Sequence, residues 1–127
     1  MMNAERTYRK CDLCGNLIGM INDSGVVPVC CGQPMRLLKP NTVDASQEKH
    51  VPVIKREAGS VTVTIGAVVH PTTPEHYIEW IALAQGNRTH RVALHPGDAP
   101  EAVFDCEPGP VTTYAYCNLH GLWVSEG

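Results

Sequence analysis

Ser60-Val61-Thr62-Val63-Thr64-Ile65-Gly66-Ala67-Val68-Val69 places apolar side chains at 61, 63, 65, 67 and 69 and threonine at 62 and 64. Successive side chains of an extended chain point to opposite faces, so this alternation predicts a strand with one buried face. Working outward, the same reading predicts strands over 51–56, 77–84, 88–94, 101–106, 111–116 and 122–124. Ala58-Gly59, Gly86-Asn87, His95-Pro96-Gly97-Asp98 and Pro108-Gly109-Pro110 supply the turns between them. About seven short strands at this spacing predict an immunoglobulin-like antiparallel β-sandwich. No internal repeat or low-complexity segment interrupts the pattern.

Composition bounds the rest. A chain of 127 residues suits one domain, or a small module joined to a domain of about 90 residues. A hydrophobic content of 43% is enough for a core in the larger part. The first forty residues or so are too few to build one unaided and call for a metal as a staple. With a net charge of -3 and no basic block, binding to nucleic acid or an acidic membrane has no electrostatic support. Residues 1–6 are polar, unlike a signal peptide, and no stretch approaches the ~20 apolar residues of a membrane span. The expectation is a cytoplasmic protein whose thiols stay reduced.

Cys11-Asp12-Leu13-Cys14-Gly15 reads as a metal knuckle, two thiolates on a tight turn relieved by glycine. A hairpin-like stretch follows (17–20, then 26–29), and then Cys30-Cys31-Gly32. Four thiolates can surround one tetrahedral ion, and zinc or iron both suit that set. The adjacent pair is unusual: neighbouring side chains of an extended chain point apart, so both reach one ion only with a strained backbone. A short strand at 35–39 and a linker at 40–47, with at most one helical turn, place the domain boundary near Pro40. The expected domains are residues 1–39 and 40–127.

Three further stretches carry donor atoms: Glu48-Lys49-His50-Val51-Pro52, His70-Pro71-Thr72-Thr73-Pro74-Glu75-His76 and Tyr116-Cys117-Asn118-Leu119-His120. A lone histidine is usually structural. These four flank predicted strands, and sandwich loops gather at the ends of the fold, so several can share one end. One thiolate and four imidazoles leave an octahedral iron one vacant position, with the thiolate donating electron density. From the residues alone, Glu48 and Lys49 are a solvated charge pair, and Pro71 and Pro74 stiffen the loop between His70 and His76. His90 and His95 are read as structural or exposed, and Cys106 as core packing. Two other classes compete: a zinc-stapled binding module, and a blue-copper carrier. The carrier needs an axial methionine soon after the last histidine. All four methionines precede residue 36.

Glu-Lys-His-Val-Pro, His-Pro-x-x-x-x-His-Tyr-Ile-x-Trp and Tyr-Cys-Asn-x-His, in that order, closely resemble superoxide reductase of the desulfoferrodoxin type, over a span from Cys11 to Trp123. The resemblance implies two irons per chain. Cys11, Cys14, Cys30 and Cys31 would hold one in a desulforedoxin-like module; His50, His70, His76 and His120, equatorial, and Cys117, axial, would hold the other. It implies one-electron reduction of superoxide to hydrogen peroxide, with Lys49 attracting the anion and ordering proton-supplying water. Glu48 would close onto the ferric ion after peroxide departs. A rubredoxin-like electron donor and a homodimer complete what the family suggests.

Overall fold

The computed structural model describes residues 7–42, 47–68 and 70–127, and the side chains of Gln47 and Glu48 lie outside the description. The chain divides into two units, Glu5–Lys39 and Pro40–Gly127.

In the smaller unit, β1 (Thr7–Lys10) is the middle strand. It pairs antiparallel with β2 (Leu17–Met20) on one side and β5 (Arg36–Leu37) on the other. Between them β3 (Val29–Cys30) and β4 (Gln33–Pro34) make a minimal hairpin. β1 escapes a pattern search because Tyr8 is its single apolar residue. Tyr8 is nonetheless buried, its ring packed closely over Gly19, where a Cβ would lie 3.3 Å from it. The strand expected over 26–29 is reduced to its last residue. Pro28 has no N–H for a ladder, and its carbonyl accepts instead from Met35 N–H at 2.9 Å.

The larger unit opens with a single helical turn, α1 (Gln47–His50), followed by seven strands among the described residues. These are β6 (Pro52–Glu57), β7 (Ser60–Ile65), β8 (Ile78–Gln85), β9 (Arg88–Ala93), β10 (Glu101–Asp105), β11 (Thr112–Cys117) and β12 (Gly121–Glu126). They form two antiparallel sheets, β10-β7-β6 and β12-β11-β8-β9. Hairpins β6–β7, β8–β9 and β11–β12 stay within a sheet, and the other connections cross between sheets, as in an immunoglobulin-like sandwich. The core is built from Val61, Val63 and Ile65 of β7, Ile78, Ile81 and Leu83 of β8, Phe104 of β10 and Ala115 and Cys117 of β11. Each large aliphatic side chain buried this way stabilises the fold by about 1.5–3 kcal/mol.

The alternation beginning at Val61 stops at Ile65, four residues earlier than its pattern continues. Gly66 turns the chain with φ +83°, and a Cβ there would sit 2.6 Å from the Lys49 carbonyl oxygen. Only glycine allows both the left-handed backbone and that approach. Gly66 N–H donates to the Val51 carbonyl at 3.2 Å, so the turn is fastened to the segment that carries His50. Ala67 and Val68 are exposed, and Val69 lies outside the described residues.

Asn41 closes the other edge. Its side-chain Nδ2 donates to the Val124 carbonyl at 3.1 Å, its Oδ1 accepts from Val124 N–H at 2.9 Å, and its own N–H donates to the Leu122 carbonyl at 3.0 Å. One residue thus continues the ladder across the free edge of β12 and blunts it against pairing with another chain. No helix among the described residues is long and apolar enough to cross a membrane.

Candidate metal centres

Cys11, Cys14, Cys30 and Cys31 converge, their sulfurs all within 4.8 Å of one another. The knuckle after β1 is closed by Cys11 N–H to the Asn16 carbonyl (2.8 Å) and Gly15 N–H to the Cys11 carbonyl (2.9 Å). Cys30 ends β3, and Cys31 adopts φ 54°, a left-handed conformation that costs a non-glycine residue about 1–2 kcal/mol. That is the strain the adjacent pair requires: reversing the backbone at Cys31 turns both thiols to one side. Cys14 and Cys30 sulfurs lie 3.6 Å apart, and those of Cys30 and Cys31 lie 4.0 Å apart. A tetrahedral ion with metal–sulfur bonds of about 2.3 Å spaces its ligands about 3.8 Å apart, so the set fits one. Cys14 N–H and Asn16 Nδ2 point at the sulfurs of Cys11 and Cys30. The Cys14 N–H is the main reason the Cys11 thiol is held down to about 7. Hydrogen bonds within the crowded thiol group, first from Cys14 and then from Cys11, push Cys31 up to about 12. A cation relieves that crowding, and Cys14 and Cys31 leave the cluster open to solvent.

The second group gathers at one end of the sandwich, where α1 enters β6, the 70–77 segment enters β8, and β11 turns into β12. Ligating atoms of His50, His76, Cys117 and His120 lie within 4.8 Å of one another. His70 falls outside that group of four but stands against it, with ring centroids 4.7 Å from His50 and 4.6 Å from His76. His76 and His120, and His50 and His120, are each 4.9 Å apart, while His50 and His76 are separated by 6.1 Å. The four imidazoles therefore form a ring in the order 50, 70, 76, 120, each meeting its neighbours edge-on at 76–86°.

The nitrogens are prepared for an ion. His70 Nδ1–H donates to the Pro71 carbonyl at 2.7 Å, which leaves the Nε2 lone pair free, and that Nε2 is buried without a partner. His76 Nε2 is likewise buried and unpartnered. An orphaned buried polar atom costs about 1–3 kcal/mol. His50 Nε2 and His120 Nδ1 face each other at 3.1 Å, close to the separation of about 3.0 Å for nitrogens at right angles about an ion with bonds of about 2.1 Å. Cys117 Sγ lies 3.9 Å from His120 Nδ1 and is part of the hydrophobic core. Burial pushes the Cys117 thiol up, opposed by backbone N–H groups of Leu119 and His120. Burial also holds His70 down to about 4, so it stays neutral and able to ligate.

The β8–β11 ladder shifts register between Tyr116, paired with Trp80, and Cys117, paired with Ile78, so a bulge falls beside the thiol. Burial, and after it the charges of His120 and Lys49, lowers His76, and Lys49 is exposed. The Glu48 side chain lies outside the described residues. His90 lies on β9 with its ring centroid 6.3 Å from that of Phe104, and His95 is exposed 3.5 Å from Asp98. Cys106 packs against the core, 3.8 Å from Arg56 Nη2. Two residues outside the expected ligand set also belong to the site. Trp123 is fully buried with its indole against His50, and Asn118 binds the backbone on both sides of His76. An amide directly after a ligand and a tryptophan three residues past the second were the available signals.

Comparison with known proteins agrees with this geometry. The sequence pattern of the family described as "Desulfoferrodoxin" matches residues 42–126, and that of "Desulfoferrodoxin, N-terminal domain" matches residues 3–38. A desulfoferrodoxin from Syntrophotalea carbinolica is 49% identical over 118 residues, covering 93% of this chain and 94% of its own. Another, from Nitratidesulfovibrio vulgaris, is 46% identical over 126 residues and 99% of both chains. The crystal structure of the superoxide reductase from Treponema pallidum superposes with a TM-score of 0.78 at 34% identity, covering 96% of this chain and 99% of that one. A four-cysteine knuckle and a histidine–cysteine cluster, each suited to iron, are thus carried on a fold shared with these proteins along nearly its whole length. The chain belongs to the desulfoferrodoxin family.

Proposed function

We propose that this chain is a superoxide reductase whose reactive iron is held by His50, His70, His76, His120 and Cys117. The observation that carries the reading is the closed ring of four imidazoles, two with buried, unpartnered Nε2 atoms, beside a thiol sunk in the core. Bound there, a ferrous ion would supply the single electron with which superoxide and two protons become hydrogen peroxide. The side chains do the remaining work. Cys117 lies on the core side, so the face of the imidazole ring away from it is the one a small anion can reach, past the half-exposed His76 and His120. Lys49 attracts the anion and orders water for proton delivery, and Glu48 is the carboxylate expected to occupy the open position afterwards.

The domain assignment, residues 1–39 and 40–127, makes the smaller part a separate iron module held by Cys11, Cys14, Cys30 and Cys31. A rubredoxin-like donor returns the spent electron, and the chain works as a homodimer in the cytoplasm, where free thiols persist. The test combines metal analysis, an optical spectrum and decay of pulse-generated superoxide. Two irons per chain, a thiolate-to-iron band and second-order superoxide loss yielding peroxide are expected. Stoichiometric zinc in the histidine site, or iron with no superoxide reaction, would remove the proposal.

A further inference from the structure

Three separate segments deliver the reactive ligands: α1 brings His50, the 70–77 segment brings His70 and His76, and the β11–β12 turn brings Cys117 and His120. The segment around His76 belongs to no named strand. Its own pairing is one isolated bridge, Thr73 to His76, with hydrogen bonds of 3.0 and 3.1 Å. The neighbouring β8–β11 ladder shifts register between Tyr116 and Cys117 and ends with the pair Cys117–Ile78, short of His76.

We propose that Asn118 is a positioning residue that sets His76 in register with Cys117 and His120, tying the two segments together beyond the last pair of the β8–β11 ladder. Its Oδ1 accepts from Tyr77 N–H at 3.0 Å and its Nδ2 donates to the Glu75 carbonyl at 3.0 Å. Its backbone N–H donates to the Tyr77 carbonyl at 3.2 Å. The three bonds grip the residues on either side of His76, and they originate one residue after Cys117 and two before His120. A side chain must here accept and donate at once across a fixed span. Aspartate has the same shape but no donor, so it would set a carboxylate oxygen against the Glu75 carbonyl. Alanine would leave both groups of the 75–77 backbone without these partners. Residues that orient ligands in this way commonly change metal affinity by about 10- to 100-fold when replaced.

This inference rests on the proposed ligand set but not on the reaction. The test is performed on the full-length protein loaded with ferrous iron, comparing wild type with Asn118→Asp and Asn118→Ala. Iron loss from each centre to a chelator is followed optically, together with the ferric thiolate band and the melting temperature of the metal-free protein. The four-cysteine centre serves as an internal reference. The expected result is iron loss about 10- to 100-fold easier from the histidine site of Asn118→Asp, with a shifted thiolate band and an unchanged four-cysteine centre. Wild-type affinity and band position in Asn118→Asp, whether or not its melting temperature falls, would overturn the proposal. So would parallel weakening of both centres, or a wild type that takes no iron at the histidine site. Should Asn118→Ala fail to fold, the isosteric Asp variant still decides. A wild type that binds iron as described yet leaves superoxide untouched would end the functional proposal and not this one.

Discussion

The indole of Trp123 lies against the imidazole of His50, centroids 4.9 Å apart and planes inclined by 23°, while its Nε1–H donates to the His120 carbonyl at 3.1 Å. One buried side chain therefore supports two of the proposed ligands, 70 residues apart in sequence. Trp123→Phe keeps an aromatic face for His50 and removes the donor. It should cost about 1–3 kcal/mol and loosen iron at the histidine site. Trp123→Ala should cost about 3–5 kcal/mol through the cavity left behind. Urea unfolding of the metal-free variants and iron retention after reconstitution measure both. A Phe variant matching wild type in both respects would show that the hydrogen bond to His120 has no holding role.

Two cysteines of the sandwich separate ligand from core. Cys117→Ser should abolish the thiolate-to-iron band and nearly all superoxide reduction, with the strands intact. Cys106 stands away from the site beside Arg56, so Cys106→Ser should leave the band in place and cost about 1 kcal/mol of packing. Optical spectra of the two purified variants decide, and a band that disappears with Cys106 would reverse the ligand assignment.

Cys14 is exposed, so its replacement removes a ligand and little packing. Cys14→Ser should eliminate the tetrathiolate spectrum and raise amide exchange over residues 7–39, because that unit has little core and its folding is coupled to the ion. The sandwich should keep its exchange protection, and superoxide reduction driven by a chemical reductant should survive. Loss of that activity from a folded sandwich that retains its iron would show that the two centres are interdependent.

Lys49 is expected to act through its charge. A unit charge about 6 Å from an anion is worth about 0.7 kcal/mol in water and about 2.8 kcal/mol at an effective dielectric of about 20. Lys49→Ala should therefore slow the second-order reaction by a factor between about 3 and about 100, and flatten its salt dependence. Lys49→Arg should preserve most of the rate, whereas Glu48→Ala should leave the first encounter fast and alter the ferric resting spectrum. Pulse-generated superoxide across a salt series compares all three, and an unchanged rate and salt slope in Lys49→Ala would return Lys49 to a solvated surface role.

Much of this protein is written in local pattern. Alternation at Val61, Val63 and Ile65 needs no partner to be legible, because a strand with one wet and one dry face repeats every two residues. The cysteine spacing at 11, 14, 30 and 31 announces a four-thiolate group by chemistry alone, and even the backbone reversal at Cys31 follows from two adjacent thiols turning to one side. Tertiary structure decided what depends on distant contacts. Val61 to Val69 reads as one strand, yet it ends at Ile65 because Gly66 must pass within reach of the Lys49 carbonyl, a neighbour that no local window contains. β1 shows itself only through its pairing with β2 and β5 and the packing of Tyr8 over Gly19, not through its own pattern. Trp123 and Asn118 belong to the same class: neither is in the expected ligand set, and each makes its contacts only after folding sets it against residues delivered by other segments. Residue types and their spacing name the donors, but hydrogen bonds and packing between segments far apart in the chain set the angles at which those donors meet.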